Sequence, residues 1–227
     1  MYLYLYINLA ILFLPLAISF ERKRINYQSR IKSVVLSIIS VGTVFVAWDV
    51  LATYRGHWSF NPDYVVGARL LGLPIEEILF FVTVPFSCLF TYEALMYFLK
   101  DGKIHLAGKL QPVVGIVFVF LSFFFLNKEY TFLALLSVGM TILIAPKVVG
   151  HIFSSKLYWY YIAATFAFFL VFNFFLTSLP IVEYSNQAIS GLRVTTIPIE
   201  DLMFNFSLLT LYLAVYLRLS RNRKRTG

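Results

Sequence analysis

Cysteine, histidine and charged residues are all scarce in this chain of 227 residues. The single cysteine, Cys88, excludes an intrachain disulfide and a cysteine-based zinc site. The three histidines, His57, His105 and His151, are predicted to fall in loops on different sides of the molecule, so we expect no metal site. Charged residues make up 13% of the chain, against the roughly 25% of a soluble domain, and hydrophobic residues make up 60%. This composition indicates a membrane protein.

Seven apolar runs are long enough to cross a bilayer as helices, for which about 20 residues suffice. The first is interpreted as a retained span and not a cleaved signal peptide, because its basic cluster follows the apolar stretch. The sequence thus predicts an all-α polytopic membrane protein folded as one bundle. The predicted spans are 2–20, 33–52, 78–98, 110–126, 131–149, 158–179 and 202–219.

The orientation is predicted from the distribution of Lys and Arg. With the N-terminus outside, fifteen of the 19 Lys and Arg lie on the inner side, and Arg55, Arg69, Lys128 and Arg193 lie outside. We therefore expect an integral protein of the bacterial cell membrane with a cytoplasmic C-terminus. The net charge of +8 sits in short clusters between the spans, so no nucleic acid partner is expected. The two long outer loops, 53–77 and 180–201, are predicted to be structured.

An internal repeat relates the two halves of the chain. A shift of 124 residues places the segment from Gly67 to Glu77 on the segment from Gly191 to Asp201, with Gly, Arg, Pro, Ile and the acids preserved. The predicted organisation is a first repeat at 1–109, a linker helix at 110–126 and a second repeat at 127–227. Two parallel three-helix repeats joined by an inverting helix would surround a pseudo-twofold axis along the membrane normal.

Each repeat carries Pro-Ile-acid-acid directly before an apolar run, which makes Glu76, Glu77, Glu200 and Asp201 the candidate catalytic residues. Acids also stabilise helix N-termini by about 0.3–1 kcal/mol each, but capping alone does not require the same pair twice. Adjacent helical residues point about 100° apart, so one acid of each pair is expected to face the interior and its neighbour the loop. A carboxyl group buried in an apolar interior is held protonated and is a ready proton donor.

Other polar residues fall at the same level as the acidic pairs. Arg69 and Arg193 are predicted to hold the second acid of each pair ionised, or alternatively to anchor the loops at the headgroups. Asp49 and Asn173 occupy equivalent positions near the outer ends of helices 2 and 6, where the alternative to a site role is a structural hydrogen bond. Glu93 is expected to snorkel towards the inner surface and is not counted as a site residue.

Aromatic residues near the acids supply candidate walls for a pocket, since their π-faces suit a cation. Packing and lipid contact are the alternative roles of these side chains. No dinucleotide fingerprint, Walker loop or paired aspartate-rich prenyl-diphosphate motif is present. The remaining chemistry is protonation of an apolar alkene, with the carbocation sheltered from water. The candidate pocket residues are Trp48, Phe80, Phe81, Phe172 and Phe204.

These motifs resemble the lycopene cyclase domain family of membrane carotenoid cyclases. The resemblance spans nearly the whole chain, and the two halves correspond to the two subunits of the heterodimeric members joined into one chain. The matching elements are Trp58-Ser-Phe-Asn-Pro62, Leu73-Pro-Ile-Glu-Glu77 with Phe80-Phe81, Phe172-Asn173, Leu176-Thr-Ser-Leu-Pro180, and Arg193 with Ile197-Pro-Ile-Glu-Asp201.

The resemblance implies a redox-neutral cyclisation in which the linear ends of lycopene close into ionone rings, most often giving β-carotene. It assigns the acidic motif to Glu76, Glu77, Glu200 and Asp201. The implied partners are lycopene or a related linear carotenoid, the lipid bilayer and other enzymes of carotenoid synthesis. No cofactor is required by the sequence, and a reduced flavin, the ring type and the length of the substrate stay open.

Two other readings compete with this one. A small 3+1+3 transporter could use the acidic pairs to couple protons. A retinal photoreceptor is set aside, because helix 202–219 has no Lys to form a Schiff base.

Overall fold

The computed structural model describes residues 2–21 and 23–223. Arg22, Lys224 and Arg225, which belong to the predicted inner basic clusters, lie outside these residues. The described residues form seven α-helices: α1 Leu3–Ser19, α2 Ile31–Tyr54, α3 Ile75–Phe98, α4 His105–Ser122, α5 Glu129–Val148, α6 Lys156–Ser178 and α7 Ile199–Arg223.

Six of these helices, α2 to α7, are long and apolar enough to cross a membrane. The first helix is equally apolar but has 17 residues, fewer than any of the other six. Its end is set by Glu21, whose carboxylate accepts the backbone N–H groups of Lys23, Arg24 and Ile25 and so turns the chain. The chain is thus a mostly helical protein with the character of a polytopic membrane protein.

Each predicted span corresponds to one of these helices, with ends that differ from the predicted ones by at most five residues. The helices α3 and α7 begin directly after Pro74 and Pro198, three residues earlier than predicted, because the acidic pairs lie in the first turns, where negative charge stabilises the helix N-terminus. The helix α4 begins at His105, so the expected loop position of this histidine is wrong. A 3₁₀ turn, Phe123–Phe125, follows α4 and leads into α5.

The two long loops are structured, as predicted. They contain short strands, so the structure is not purely helical. The strands are β1 Trp58–Phe60, β2 Arg69–Leu70, β3 Leu73–Pro74, β4 Val182–Tyr184, β5 Arg193–Val194 and β6 Ile197–Pro198.

Both loops have the same construction. The strands β2 and β3 form a hairpin that pairs Arg69 with Pro74, and β5 and β6 form a hairpin that pairs Arg193 with Pro198. The loops also pair with each other, since β1 runs antiparallel to β4 with Ser59 opposite Glu183. This small sheet covers one end of the helix bundle.

The helices pack in matching pairs around this end. The helix α1 lies against α3, and α5 lies against α7; α2 contacts α7, and α3 contacts α6. Asn8 of α1 fixes the first pair, because its amide donates to the carbonyl of Glu76 and accepts from the hydroxyl of Thr83. The linker helix α4 packs mainly on α5.

Glu93 does not snorkel, in contrast to the expectation. Its side chain lies in the core at 2% exposure, where it forms an ion pair with Arg30 at 2.7 Å and accepts the Tyr216 hydroxyl at 2.5 Å. Arg30 reaches Glu93 from the turn that precedes α2, so the carboxylate is neutralised inside the bundle.

Candidate active site

A cavity of about 70 Å³ lies where α2, α3, α6 and α7 meet the β1–β4 sheet. Four polar side chains enter it, one from each helix: Asp49, Glu77, Asn173 and Asp201. The remaining walls are mostly aromatic, with Tyr4, Trp58, Phe60, Phe80, Phe81, Tyr130, Phe169, Tyr184 and Phe204. The structure therefore brings residues from both halves of the chain into one small, largely apolar space.

Glu77 and Asp49 form a carboxyl pair on one side of the cavity. The Tyr4 hydroxyl donates to Glu77 Oε2 at 2.5 Å, and the Trp58 indole donates to Asp49 Oδ1 at 2.8 Å. The two carboxyl groups are close enough to interact electrostatically. Asp49 Oδ2 is buried and has no hydrogen-bond donor among the described residues. A proton shared with Glu77 would satisfy this oxygen.

Asp201 faces the pair from α7 and accepts three hydrogen bonds. Its donors are the Tyr130 hydroxyl at 2.8 Å, the Tyr184 hydroxyl at 2.6 Å and the Asn173 amide at 3.0 Å. Burial and the neighbouring Asp201 carboxylate raise the pKa of Tyr184 well above its usual value, so its hydroxyl stays protonated and donates. Three donors with no competing carboxyl hydrogen bond suit an ionised carboxylate.

The other acid of each pair points towards its loop. Glu76 Oε1 accepts the backbone N–H of Val66 at 2.5 Å, and Glu200 Oε1 accepts that of Ser190 at 2.7 Å. The Thr131 hydroxyl also donates to Glu200, at 2.6 Å. Each acidic pair is thus divided between the cavity and the loop, as the helical geometry predicts. Both loop-facing acids are nevertheless fully buried.

The prediction that Arg69 and Arg193 pair with the acids is wrong. Arg69 donates to the carbonyl of Gly72 at 3.0 Å, and Arg193 donates to the carbonyl of Thr196 at 2.7 Å. Both arginines lie on exposed strand positions and close the turns of their own hairpins. Neither arginine forms an ion pair with an acid among the described residues, but the Arg193 guanidinium lies 6.0 Å from the centre of the Tyr184 ring, which lines the cavity.

The predicted aromatic residues divide between the cavity and other surfaces. Phe80, Phe81 and Phe204 line the cavity. Trp48 instead packs against Phe45 and Phe204, outside the lining residues. The predicted Phe172 lines a larger apolar groove next to the cavity.

Four hydrogen-bonding aromatic residues of the cavity were not predicted as site residues: Tyr4, Trp58, Tyr130 and Tyr184. Tyr4 and Tyr130 have matching hydrogen bonds, since Tyr4 of α1 donates to Glu77 and Tyr130 of α5 donates to Asp201, the second acid of each pair. Their sequence separation is 126 residues, two more than the shift that aligns the acids, so an ungapped comparison misses them. A comparison with a two-residue gap would have paired them.

The fold and the cavity define a helical membrane protein that buries three carboxyl groups in an aromatic pocket. A sequence model described as lycopene cyclase matches residues 1–95 and 113–219. The chain belongs to the lycopene cyclase family.

Two curated relatives are fungal proteins named bifunctional lycopene cyclase/phytoene synthase. The protein from Aspergillus niger is 26% identical over 142 residues, which cover 58% of this chain and 24% of the relative. The protein from Neurospora crassa is 32% identical over 79 residues, which cover 33% of this chain and 12% of the relative. The matches thus span less than a quarter of either fungal protein. No solved structure is significantly similar to the chain.

Proposed function

We propose that this protein is a carotenoid cyclase that closes the linear ends of lycopene, or of a related linear carotenoid, into ionone rings. The observation that supports this activity most strongly is the cavity in which Asp49, Glu77 and Asp201 meet among aromatic side chains. The family membership and the names of the fungal relatives support the same activity. They favour a cyclase over a proton-coupled transporter.

The Glu77–Asp49 pair is the proposed proton donor. Two interacting carboxyl groups in a low-dielectric site hold one proton between them, because ionising both would place two like charges together. Glu77 transfers this proton to the terminal double bond of the substrate, which leaves a tertiary carbocation. Attack by the next alkene of the chain closes the ring and moves the positive charge onto a ring carbon.

The walls of the cavity stabilise this cation and keep water from it. The faces of Phe80, Phe81 and Phe204 supply negative π-density, and their apolar bulk leaves little room for a water molecule to trap the cation.

Asp201 is the proposed base that ends the reaction. Its three hydrogen-bond donors favour the ionised form, and this carboxylate removes a proton from the ring, so that a double bond forms. One proton is added and one is removed, so the product is an isomer of the substrate and no electrons are gained or lost.

We propose that the carboxyl groups alone suffice and that no reduced flavin takes part. A purified enzyme that converts lycopene only when reduced flavin is added would contradict this.

The finer architecture belongs to the same proposal. We propose seven spans, with α1 included, arranged as two parallel repeats around a pseudo-twofold axis. Ser59 and Glu183 support this axis, because they are 124 residues apart and pair with each other, as equivalent strand residues beside a twofold axis must.

The proposed orientation places the N-terminus outside, because most Lys and Arg then lie on the inner side. A cysteine at position 227 that reacts with an impermeant reagent in intact cells would contradict this orientation.

Expression in a lycopene-accumulating bacterium tests the activity directly. Pigment chromatography should show loss of lycopene and appearance of a cyclic isomer. The same reaction in D₂O should place one deuterium in each new ring, because the added proton comes from an exchangeable carboxyl group. Unchanged lycopene with well-inserted protein would refute the cyclase function, and a cyclic product without deuterium would refute the proton-initiated mechanism.

A further inference from the structure

An apolar groove of about 380 Å³ adjoins the carboxylate cavity on one side of the bundle. It lies between α1, α3 and α6 and follows α3 from Phe80 to Phe98, a rise of about 27 Å at 1.5 Å per residue. Phe80, Phe169, Asn173 and Leu176 line both spaces, so the groove is continuous with the cavity. Its length is close to the roughly 30 Å thickness of the hydrocarbon core of a bilayer.

We propose that this groove holds the polyene chain of the substrate while one end of the molecule occupies the cavity. The proposal rests on the cyclase function and names the binding site for the part of the substrate that does not react. The cavity is too small for more than one end group, so the remaining chain must leave it through an apolar opening. The groove provides this opening and is accessible from lipid, since Leu14 and Phe168 on its two rims are 62% and 58% exposed.

Among the described residues, the space that the internal repeat relates to this groove is not open. The groove residues Val84 and Cys88 on α3 correspond to Leu208 and Tyr212 on α7. Leu208 and Tyr212 are fully buried in a packed cluster with residues of α2. The equivalent space between α2 and α7 is therefore filled.

The side chains at positions 212 and 88, which the repeat relates, explain why one space is filled and the other is open. Tyr212 places its ring between α2 and α3, where its hydroxyl donates to the carbonyl of Phe81 at 3.2 Å. Gly42 makes room for it, because a Cβ there would come within 3.0 Å of the Tyr212 hydroxyl. In the other half the much smaller Cys88 occupies the tyrosine position, and the groove stays open. Of the two spaces that the repeat relates, only this groove is open among the described residues, so the proposed site accepts one end of one substrate molecule at a time.

Filling the groove from two directions tests this inference. Cys88→Phe adds an aromatic ring on α3, and Ala10→Trp adds one from the exposed face of α1 without disturbing the core. The matched control is Val82→Phe, which adds the same ring as Cys88→Phe on another face of α3, beside a groove between α2 and α3. Two quantities are measured in purified, equally inserted protein: the initial rate at limiting lycopene and the carotenoid retained per protein.

Both groove variants should lose about tenfold or more in rate and in retained carotenoid, whereas Val82→Phe should stay close to the unmodified protein. Ala10→Trp decides the matter if Cys88→Phe does not fold. The inference would be overturned if the groove variants retained carotenoid and converted it at the rate of the unmodified protein. It would also be overturned if Val82→Phe lost as much rate and retained carotenoid as the groove variants. Failure of the unmodified protein to convert lycopene would instead refute the cyclase function, while retention of carotenoid would still report on the groove.

Discussion

At the scale of single residues, the two acids of each pair differ in their hydrogen-bond partners. Glu77 shares the cavity with Asp49, and Glu76 accepts a loop N–H. Asp201 and Glu200 divide in the same way. A residue that transfers a proton needs one to give, whereas a residue that holds a loop needs only an acceptor oxygen. Amide substitutions separate these two roles.

Glu77→Gln and Asp201→Asn should each lower the cyclisation rate by about 10²- to 10⁴-fold, the contribution typical of acid–base residues. Glu76→Gln and Glu200→Gln are the matched controls, because the amide oxygen can still accept from Val66 or Ser190, and they should keep most of the activity. The measurement is the initial rate of lycopene conversion in purified protein of verified thermal stability. A large loss in Glu76→Gln with little loss in Glu77→Gln would reverse the assignment.

Asp49→Asn should cause a milder loss than Glu77→Gln. The asparagine keeps the oxygen that accepts from Trp58, and Asn173 already occupies the equivalent position in the other repeat. In the proposed mechanism Asp49 assists Glu77 by sharing its proton and does not itself transfer it to the substrate. An equal loss in both variants, measured in the same conversion assay, would mean that Asp49 transfers the proton.

At the scale of secondary-structure elements, both loops depend on a glycine that precedes the hairpin. Gly67 and Gly191 have φ angles of +93° and +89°, which other residues rarely adopt. Each follows the residue whose N–H binds the first acid of the pair. The backbone conformation of the glycine therefore sets the position of this N–H.

Gly191→Ala should destabilise the protein by about 1 kcal/mol or more, because alanine is strained at this φ angle. Gly150→Ala is the control, since a Cβ there meets no atom within 4 Å and the backbone is not left-handed. Thermal unfolding in detergent, followed by circular dichroism, measures both. Equal stability of the two variants would show that the loop relaxes without cost.

His57 joins the loop after α2 to the first turn of α5. Its Nε2 lies 3.0 Å from Glu129 Oε2, and Arg55 forms an ion pair with the same carboxylate. Burial, and to a smaller extent the charge of Arg55, lower the pKa of His57 below its usual 6.5. Its Nδ1 is buried without a hydrogen-bond partner among the described residues, so a proton there would find no acceptor.

The free energy of unfolding should therefore fall as the pH drops below about 6.5, since the unfolded histidine binds a proton that the folded one resists. His57→Gln keeps a donor towards Glu129 but does not titrate, so its melting temperature should fall less between pH 8 and about pH 5. Parallel pH profiles for the two proteins would exclude His57 as the acid-sensitive group.

At the scale of the whole molecule, the cavity is assembled from both halves of the chain. Asp49 and Glu77 come from the first half, and Asn173 and Asp201 from the second. The segment after α3 contacts the start of α6, because the Asp101 carboxylate accepts the N–H of Leu157 and the Gly102 carbonyl accepts that of Lys156. A break between residues 100 and 101 thus keeps these contacts, and those of α1 with α3 and of α5 with α7, within single fragments.

Fragments 1–100 and 101–227, expressed together, should restore cyclisation through the contacts of α2 with α7 and of α3 with α6. Each fragment expressed alone should be inactive, because it carries only part of the carboxyl set. Pigment chromatography of cells with one or both fragments gives the comparison. Activity of a single fragment would place the complete reaction in one repeat.

The sequence by itself determined the properties that depend on composition and local order. The apolar runs specify helices, since their length and hydrophobicity match a bilayer, and the repeated Pro-Ile-acid-acid motif starts two of them at equivalent places. The same motif identified all four candidate acids and contributed to the family resemblance. These inferences need no knowledge of how the helices pack.

The tertiary structure decided which groups meet. The rotation of α3 and α7 selects Glu77 and Asp201 for the cavity, and Arg69 and Arg193 bind carbonyl groups of their own hairpins and not the acids. Tyr4 reaches Glu77 across 73 positions of the chain, and local sequence carries no signal of such a contact. The open groove likewise depends on a cysteine in one repeat and a tyrosine in the other, a difference that acquires meaning only when neighbouring helices enclose the space between them.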